Sequence, residues 1–342
     1  MKRVTIRDVA REAGVSVTLV SFVMNAKRGE DGKLDCPVNQ DTAKRVLEVA
    51  RKLGFRRNLS AASLRSGRSN TIAVIPNDIS NKFFAGISRN IEEEAVKHGY
   101  TVFFASSEED ARRLDSVIDA FLAHNVDGII VAPCNGGEQA IRKAIDTMVP
   151  VVLLDRDIEG LSEADGVGKV LLDDREAGRM ATQRMIDAGY RNIEMISYDL
   201  GISSILEREK GYRETMEKNG LADKVNVNYM GYGETEGIDQ IIKAALERGA
   251  DGLFLPTYSL SALVLASMRK NGLRTPEDLA IVGFDESDIY SLYSTSITHI
   301  VQPLKALGEK SVDVLISMIQ GKGAERIVLN PELVPGGSTE KK

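Results

Sequence analysis

From Thr71 onward, short unbroken apolar runs alternate with longer stretches in which apolar residues recur every three or four positions. The runs are TIAVIP (71–76), TVFFAS (101–106), GIIVAP (128–133), VVLLD (151–155), KVLLD (169–173), IEMIS (193–197), VNYMGY (227–232), GLFLP (252–256) and AIVGFD (280–285). Runs that short, without polar alternation, suit parallel strands buried on both faces. The stretches between them, such as FFAGISRNIEEEAVKHG, suit amphipathic helices. Strand–helix alternation on this scale predicts a doubly wound α/β core. Nine strands exceed one sheet of this kind, so two similar halves are expected, divided between Asp155 and Gly168, with a ligand cleft between them.

The first residues follow a different period. Ile6, Val9, Ala10 and Ala13 line one face of a helix, and Gly14 stands where a left-handed terminator is wanted. Ser16 is placed to cap a second helix, whose apolar stripe is Leu19, Val20 and Val23. Two helices joined by a short Gly-containing turn make a helix-turn-helix. A third helix is predicted from the Asn39 cap and the stripe Ala43, Val46, Leu47, Ala50 and Leu53, ending at Gly54. The second helix then turns Val17, Thr18, Ser21, Phe22 and Asn25 outward. The stretch NLSAASLRSGRSN (58–70) is short, small-residue-rich and basic at its end, and reads as a linker able to become helical.

Charge sharpens this division. The chain carries −6 overall, yet residues 1–70 hold 15 Lys and Arg against 7 Asp and Glu, and the remainder 29 against 43. A basic head on an acidic body indicates that the head meets a polyanion. Hydroxyls and amides at a helix start suit phosphate oxygens. Charge and turn chemistry together favour DNA over the alternative, a small protein-interaction bundle.

Other chemistry is sparse. Cys36 and Cys134 form no disulfide framework and fit a reducing, cytoplasmic setting. The start MKRVTIRDVA lacks a signal-peptide core, and no apolar run approaches a membrane span. His98, His124 and His299 are scattered, without metal-ligand spacing, so no metal or cofactor is expected. Gly166-Val167-Gly168 lacks the third glycine of a dinucleotide fingerprint, and no phosphate-binding G-x-x-x-x-G-K-[ST] loop occurs, so an enzyme is not expected.

The stretch VTIRDVAREAGVSVTLVSFVMN resembles the head of the lactose-repressor (LacI/GalR) family of bacterial regulators. The resemblance continues through RRNLSAASLRSGRSNTIAV, NDISNKFF, LLDRD, EREKGY and VGFDESD. It implies a homodimeric regulator, here expected to be a repressor, of double-stranded operator DNA. Its helix-turn-helix head (1–57) and hinge (58–69) would precede a core like periplasmic binding proteins. The core halves are expected at 70–167 with 301–324 and at 168–300 with 325–342. The runner-up is a transport-type binding protein with the same core and no DNA function. The DNA-facing set implied is Thr5, Ser16, Val17, Thr18, Ser21, Phe22, Asn25, Asn39 and Thr42, with Asn58, Ala61 and a minor-groove wedge, Leu64, in the hinge.

A small molecule, most simply a sugar, would bind between the core halves at Asn81, Phe83, Phe84, Asp155, Arg156, Arg208, Asp285 and Gln302. Most of these follow strand ends, where doubly wound sheets take ligands. Four departures from the family pattern stand out. Phe22 replaces an Arg that would read guanine, the loop between Asn25 and Val38 is long and expected to be mobile, Arg57 replaces a Pro, and Thr257-Tyr258 replace Asn-Asp. Tyr258 is expected to stack on the ligand.

Overall fold

The computed structural model of the protein describes residues 4–28, 34–55 and 67–341. The chain divides into two compact units, one up to Ser69 and one from Asn70 onward. The hinge residues Asn58, Ala61 and Leu64, and Arg57, lie outside the described residues.

In the first unit, helices α1 (Ile6–Ala13), α2 (Val17–Asn25) and α3 (Gln40–Lys52) close a small core of Val9, Ala10, Ala13, Val20, Val23, Ala43, Val46 and Ala50. The caps are those the sequence predicts. Gly14 is left-handed at φ +64°, Ser16 accepts a hydrogen bond from the Leu19 amide, and Asn39 accepts one from the Asp41 amide. The long loop after α2 is not wholly irregular. Its flanks β1 (Lys27–Arg28) and β2 (Leu34–Asp35) pair antiparallel, and Gln40 holds the Leu34 backbone through both its amide groups.

The second unit contains two six-stranded sheets with helices packed on them. The first sheet holds β3 (Thr71–Ile75), β4 (Thr101–Phe104), β5 (Gly128–Val131), β6 (Val151–Leu154), β7 (Val167–Leu172) and β13 (Arg326–Leu329). Its helices are α4 (Lys82–Lys97), α5 (Ala111–Ala123), α6 (Glu138–Asp146) and α12 (Leu304–Ile319). The second sheet holds β8 (Ile193–Tyr198), β9 (Asn226–Met230), β10 (Gly252–Phe254), β11 (Ala280–Phe284), β12 (Thr298–Val301) and β14 (Glu332–Val334). It packs α7 (Asp174–Asp187), α8 (Ser203–Lys218), α9 (Ile238–Glu247), α10 (Tyr258–Lys270) and the short α11 (Asp288–Leu292). All pairings within the two sheets are parallel except β12 with β14.

The boundary between halves differs from the sequence expectation. Residues 168–172 belong to the first half, because β7 pairs with β6 from Val151↔Val167 to Leu154↔Val170. The chain passes into the second half at Asp173 and returns near Gln302. The tail is shared. β13 extends the first sheet against β7 and β14 extends the second against β12. β13 and β14 escape the sequence reading because they are short and lie at sheet margins, where continuous burial is lost, and β12 escapes it because its interior, buried run opens with the polar residues Thr298 and His299.

Helices α7 and α8 approach unusually closely. A methyl group at Gly178 would collide with the Arg208 carbonyl, and one at Gly211 with the Arg175 carbonyl. Each glycine carbonyl accepts a bond from a threonine one turn on, Thr182 at 2.8 Å and Thr215 at 2.7 Å. Neither collision involves a flexible side-chain end, so the helices themselves must part to accept a side chain. Forced overpacking costs about 1–3 kcal/mol. Gly178→Ala and Gly211→Ala are each expected to lower the melting temperature by several degrees while far-ultraviolet circular dichroism stays unchanged. An unshifted melt in both variants would show that the helices separate freely.

Candidate functional site: a charged cleft between two strand-end carboxylates

The cleft is built around two matching positions. Asp155 follows β6 and Asp285 follows β11, with φ of +69° and +65°. Asp tolerates this left-handed backbone better than most residues, yet it remains uncommon and strained. Asp155 is buried and Asp285 half-buried, each at the carboxyl edge of a sheet.

Arg208 is 4 % exposed and comes from the second half. Its Nε donates to Asp174 Oδ1 at 2.7 Å and its Nη1 to the Pro256 carbonyl at 2.7 Å. The guanidinium lies over the Phe284 ring, 3.7 Å from the centroid. Helix α8 can deliver this residue to the start of α7 because Gly178 and Gly211 let the helices touch. Arg156 comes from the first half. Its Nη1 donates to both Glu109 carboxylate oxygens, at 2.8 and 3.0 Å, and to the Pro133 carbonyl at 3.2 Å. Its Nε stands 3.4 Å from Asp155 Oδ2.

Gln302 joins the site from a crossover. Its Nε2 donates to Asp285 Oδ1 at 2.8 Å, and the Tyr258 amide donates to Asp285 Oδ2 at 3.3 Å. Tyr258 therefore meets this carboxylate through its backbone. Three buried polar atoms here have no hydrogen-bond partner: Asp155 Oδ1, Arg156 Nε and Gln302 Oε1. Buried polar atoms are nearly always paired, so this set marks a place built for something else.

Other predicted residues serve the scaffold. Asn81 caps α4, accepting from the Phe83 amide at 3.0 Å. Phe83 and Phe84 belong to the first half's hydrophobic core and pack edge to face with centroids 5.0 Å apart. Phe84 also presents its ring to the Arg156 guanidinium at 5.7 Å. Both rings are buried, Phe83 7 % and Phe84 3 % exposed. His98 is less isolated than the sequence suggests, lying 3.3 Å from Glu94 and 3.9 Å from Asp313. Those carboxylates already pair with Lys97 and Lys310.

Sequence reasoning missed Glu109, Asp174, Tyr198 and Tyr232. Asp174 directly follows the strand run that ends at Asp173. Tyr232 ends VNYMGY, where the strand-end rule that found Asp155 and Asp285 applies equally. Glu109 sits in a loop at φ +56°, without a pattern to reveal it.

The halves are linked across the cleft. The Asp157 amide donates to Ser203 Oγ at 2.7 Å, Lys82 pairs with Asp288 at 3.1 Å, and Asn135 Nδ2 reaches the Leu200 carbonyl at 3.5 Å.

In the head, α2 exposes Ser16, Val17, Thr18, Phe22 and Asn25, while Ser21 is half-buried and accepts from Asn25 Nδ2 at 3.2 Å. Phe22 is 49 % exposed. Thr5, Ser16 and Asn39 cap their helices, and Thr42 is half-buried on the first turn of α3.

Comparison with known proteins agrees with both units. Residues 5–58 match the family described as bacterial regulatory proteins, lacI family, and residues 72–323 match the periplasmic binding protein domain. Catabolite control protein A of Priestia megaterium is 31 % identical over 315 residues, covering 91 % of each chain. The chain belongs to the LacI family of bacterial regulators. Among solved structures, a LacI-family transcriptional regulator from Silicibacter pomeroyi superposes with a TM-score of 0.80 at 25 % identity, covering 99 % of this chain and 100 % of that one. A complex of the regulator CelR with cellobiose gives a TM-score of 0.70 at 25 % identity, covering 98 % and 100 %. Among the described residues, no helix is long and apolar enough to cross a membrane.

Burial sets the titration of the cleft. It pushes the Asp174 carboxyl up to about 7, against the opposing pull of Arg208, with the field of Asp155 adding to the rise. Asp155 and Asp285 are raised for the same first reason, with Arg208 opposing. A free aspartate titrates near 3.9. Between about pH 4 and 7 the folded chain therefore holds a proton on Asp174 that the unfolded chain has released. Stability from this group is present at low pH and falls as pH rises through 7. Asp174→Asn does not titrate. Its melting temperature relative to wild type is expected to rise between pH 5 and pH 7.5, and a gap equal at both pH values contradicts the assignment.

Proposed function

We propose that the protein is a homodimeric transcription regulator, acting as a repressor, whose operator affinity is set by a small polyhydroxylated molecule in the cleft. The observation that carries the ligand half is the set of unpartnered buried atoms on Asp155 and Arg156 of the first half and on Gln302 of a crossover. The complex of the related CelR with cellobiose supports a sugar. The cleft-spanning contacts support a change in the angle between halves when ligand binds, since a ligand with different affinity for two arrangements shifts their balance.

The DNA half rests on the head. α2 offers a capped N-terminus with exposed Ser16, Val17 and Thr18, suited to phosphate and base edges. Phe22 supplies an apolar surface for a thymine methyl. One helix-turn-helix per chain requires a second copy for a two-fold site. The strand β4 supports such a partner. It is a sheet margin with Phe103 and Phe104 each about two-fifths exposed, unlike the buried interior strands.

DNase footprinting on genomic fragments is expected to show protection of a near-palindrome, with affinity falling steeply as salt rises. Phe22→Ala is expected to weaken the specific site at least tenfold and leave non-specific binding nearly constant. A half-site footprint from a protein that sediments as a monomer at micromolar concentration would refute the dimer. For the cleft, a hydrogen bond to a charged group contributes about 1.5–3 kcal/mol. Calorimetric titration of a sugar that binds wild type is therefore expected to show at least a tenfold loss in Arg208→Ala, and equal affinities would place the ligand elsewhere.

A further inference from the structure

The cleft holds more negative than positive groups. Glu109, Asp155, Asp174 and Asp285 are opposed by Arg156 and Arg208, and Asp78 adds a further carboxylate at the first half's rim. Nearby charges cancel in pairs, Asp157 with Lys169 at 2.6 Å and Asp288 with Lys82 at 3.1 Å. The two guanidiniums are partly engaged, Arg208 through Nε and Nη1 and Arg156 through Nη1. Arg208 is held by Asp174, Pro256 and Phe284, and Arg156 by Glu109 and Pro133. The acceptors Asp155 Oδ1 and Gln302 Oε1 have no hydrogen-bond partner, and Arg156 Nε has only the 3.4 Å approach of Asp155 Oδ2.

A tyrosine pair of the second half has one member, Tyr232, within the electrostatic reach of this acidic set. Tyr232, in the loop after β9, packs edge to face on Tyr198 with centroids 5.5 Å apart and remains 43 % exposed. Although it belongs to the second half, it lies in the field of Glu109, Asp78 and Arg156 of the first. Tyr198 is anchored by its hydroxyl to Ser259 at 3.0 Å.

A neutral sugar would satisfy acceptors and leave the excess charge buried. A phosphorylated sugar would add negative charge to an acidic site. An ammonium group brings three donors and a positive charge, and aromatic faces attract it. Building on the polyol reading above, we propose that the effector carries a protonated amine: an amino sugar whose ammonium seats among Asp155, Asp285 and Glu109 beside Tyr232. Its hydroxyls take the remaining acceptors, and Arg156 Nε donates to a ring or hydroxyl oxygen.

The test is calorimetry on the full-length protein with four sets of probes. These are D-glucosamine, D-galactosamine and D-mannosamine; their N-acetyl forms; the parent hexoses; and the hexose 6-phosphates, with putrescine as an amine lacking hydroxyls. At least one free amino hexose is expected to bind ten times more tightly than its parent and N-acetyl forms. Asp155→Asn and Glu109→Gln are each expected to shrink that preference toward unity. Asparagine accepts the left-handed backbone of position 155 readily, and the second variant lies on a different loop. A parent, N-acetylated or phosphorylated hexose binding as well as the amine overturns the amine and leaves the sugar reading standing. Putrescine matching the amino hexoses supports the amine and removes the sugar. Silence from every probe overturns both.

Discussion

The close approach of α7 and α8, with Gly178 against the Arg208 backbone and Gly211 against the Arg175 backbone, governs the effector half of this molecule. Two helices that begin at different strands come close enough for backbone to meet backbone. Only then does Arg208, three residues before Gly211, reach Asp174 at the first turn of the facing helix. A buried guanidinium without a carboxylate is costly, and the pair is strongly coupled for that reason. The Phe284 ring beneath Arg208 and the Pro256 carbonyl beside it then tie two further strand ends to the same point. The floor of the cleft is therefore a consequence of helix packing.

Charge is the second constraint. The two halves contribute matched aspartates in left-handed backbone, each at the end of a buried strand. Burial raises the affinity of Asp155, Asp174 and Asp285 for protons against the opposing pull of Arg208, most clearly at Asp174. The site is consequently sensitive to any group that enters with donors or positive charge. Gln302 couples this set to the chain crossover, since one end of its amide holds Asp285 and the other is unpaired. A ligand that engages the free end acts on the same segment that leads from the second half into α12. That is a direct physical route from ligand chemistry to the relation between the halves.

Much of the fold was legible because burial leaves a periodic trace. All nine apolar runs are strands, and the caps Ser16 and Asn39 with the terminator Gly14 stand where their chemistry requires. The trace fails at margins. β13 and β14 alternate in exposure over three or four residues and resemble loop. The half boundary was misplaced for a related reason: which sheet a strand joins depends on hydrogen-bond register with β6 and β13, which its own composition does not encode.

The site divides in the same way. Local sequence determined that Asp155 and Asp285 end buried strands and that a basic three-helix head precedes an acidic core. These are properties of periodicity, capping and charge, each expressed within a few residues. Tertiary structure alone decided that Phe83 packs into the core and that Phe84 also lies against Arg156. It decided that Arg156 is held by Glu109 and Arg208 by Asp174, and that Tyr232 lies in the field of acids of the opposite half. Those partners are separated by tens of residues in the chain. Their meeting depends on sheet register and on one helix contact that only two glycines permit.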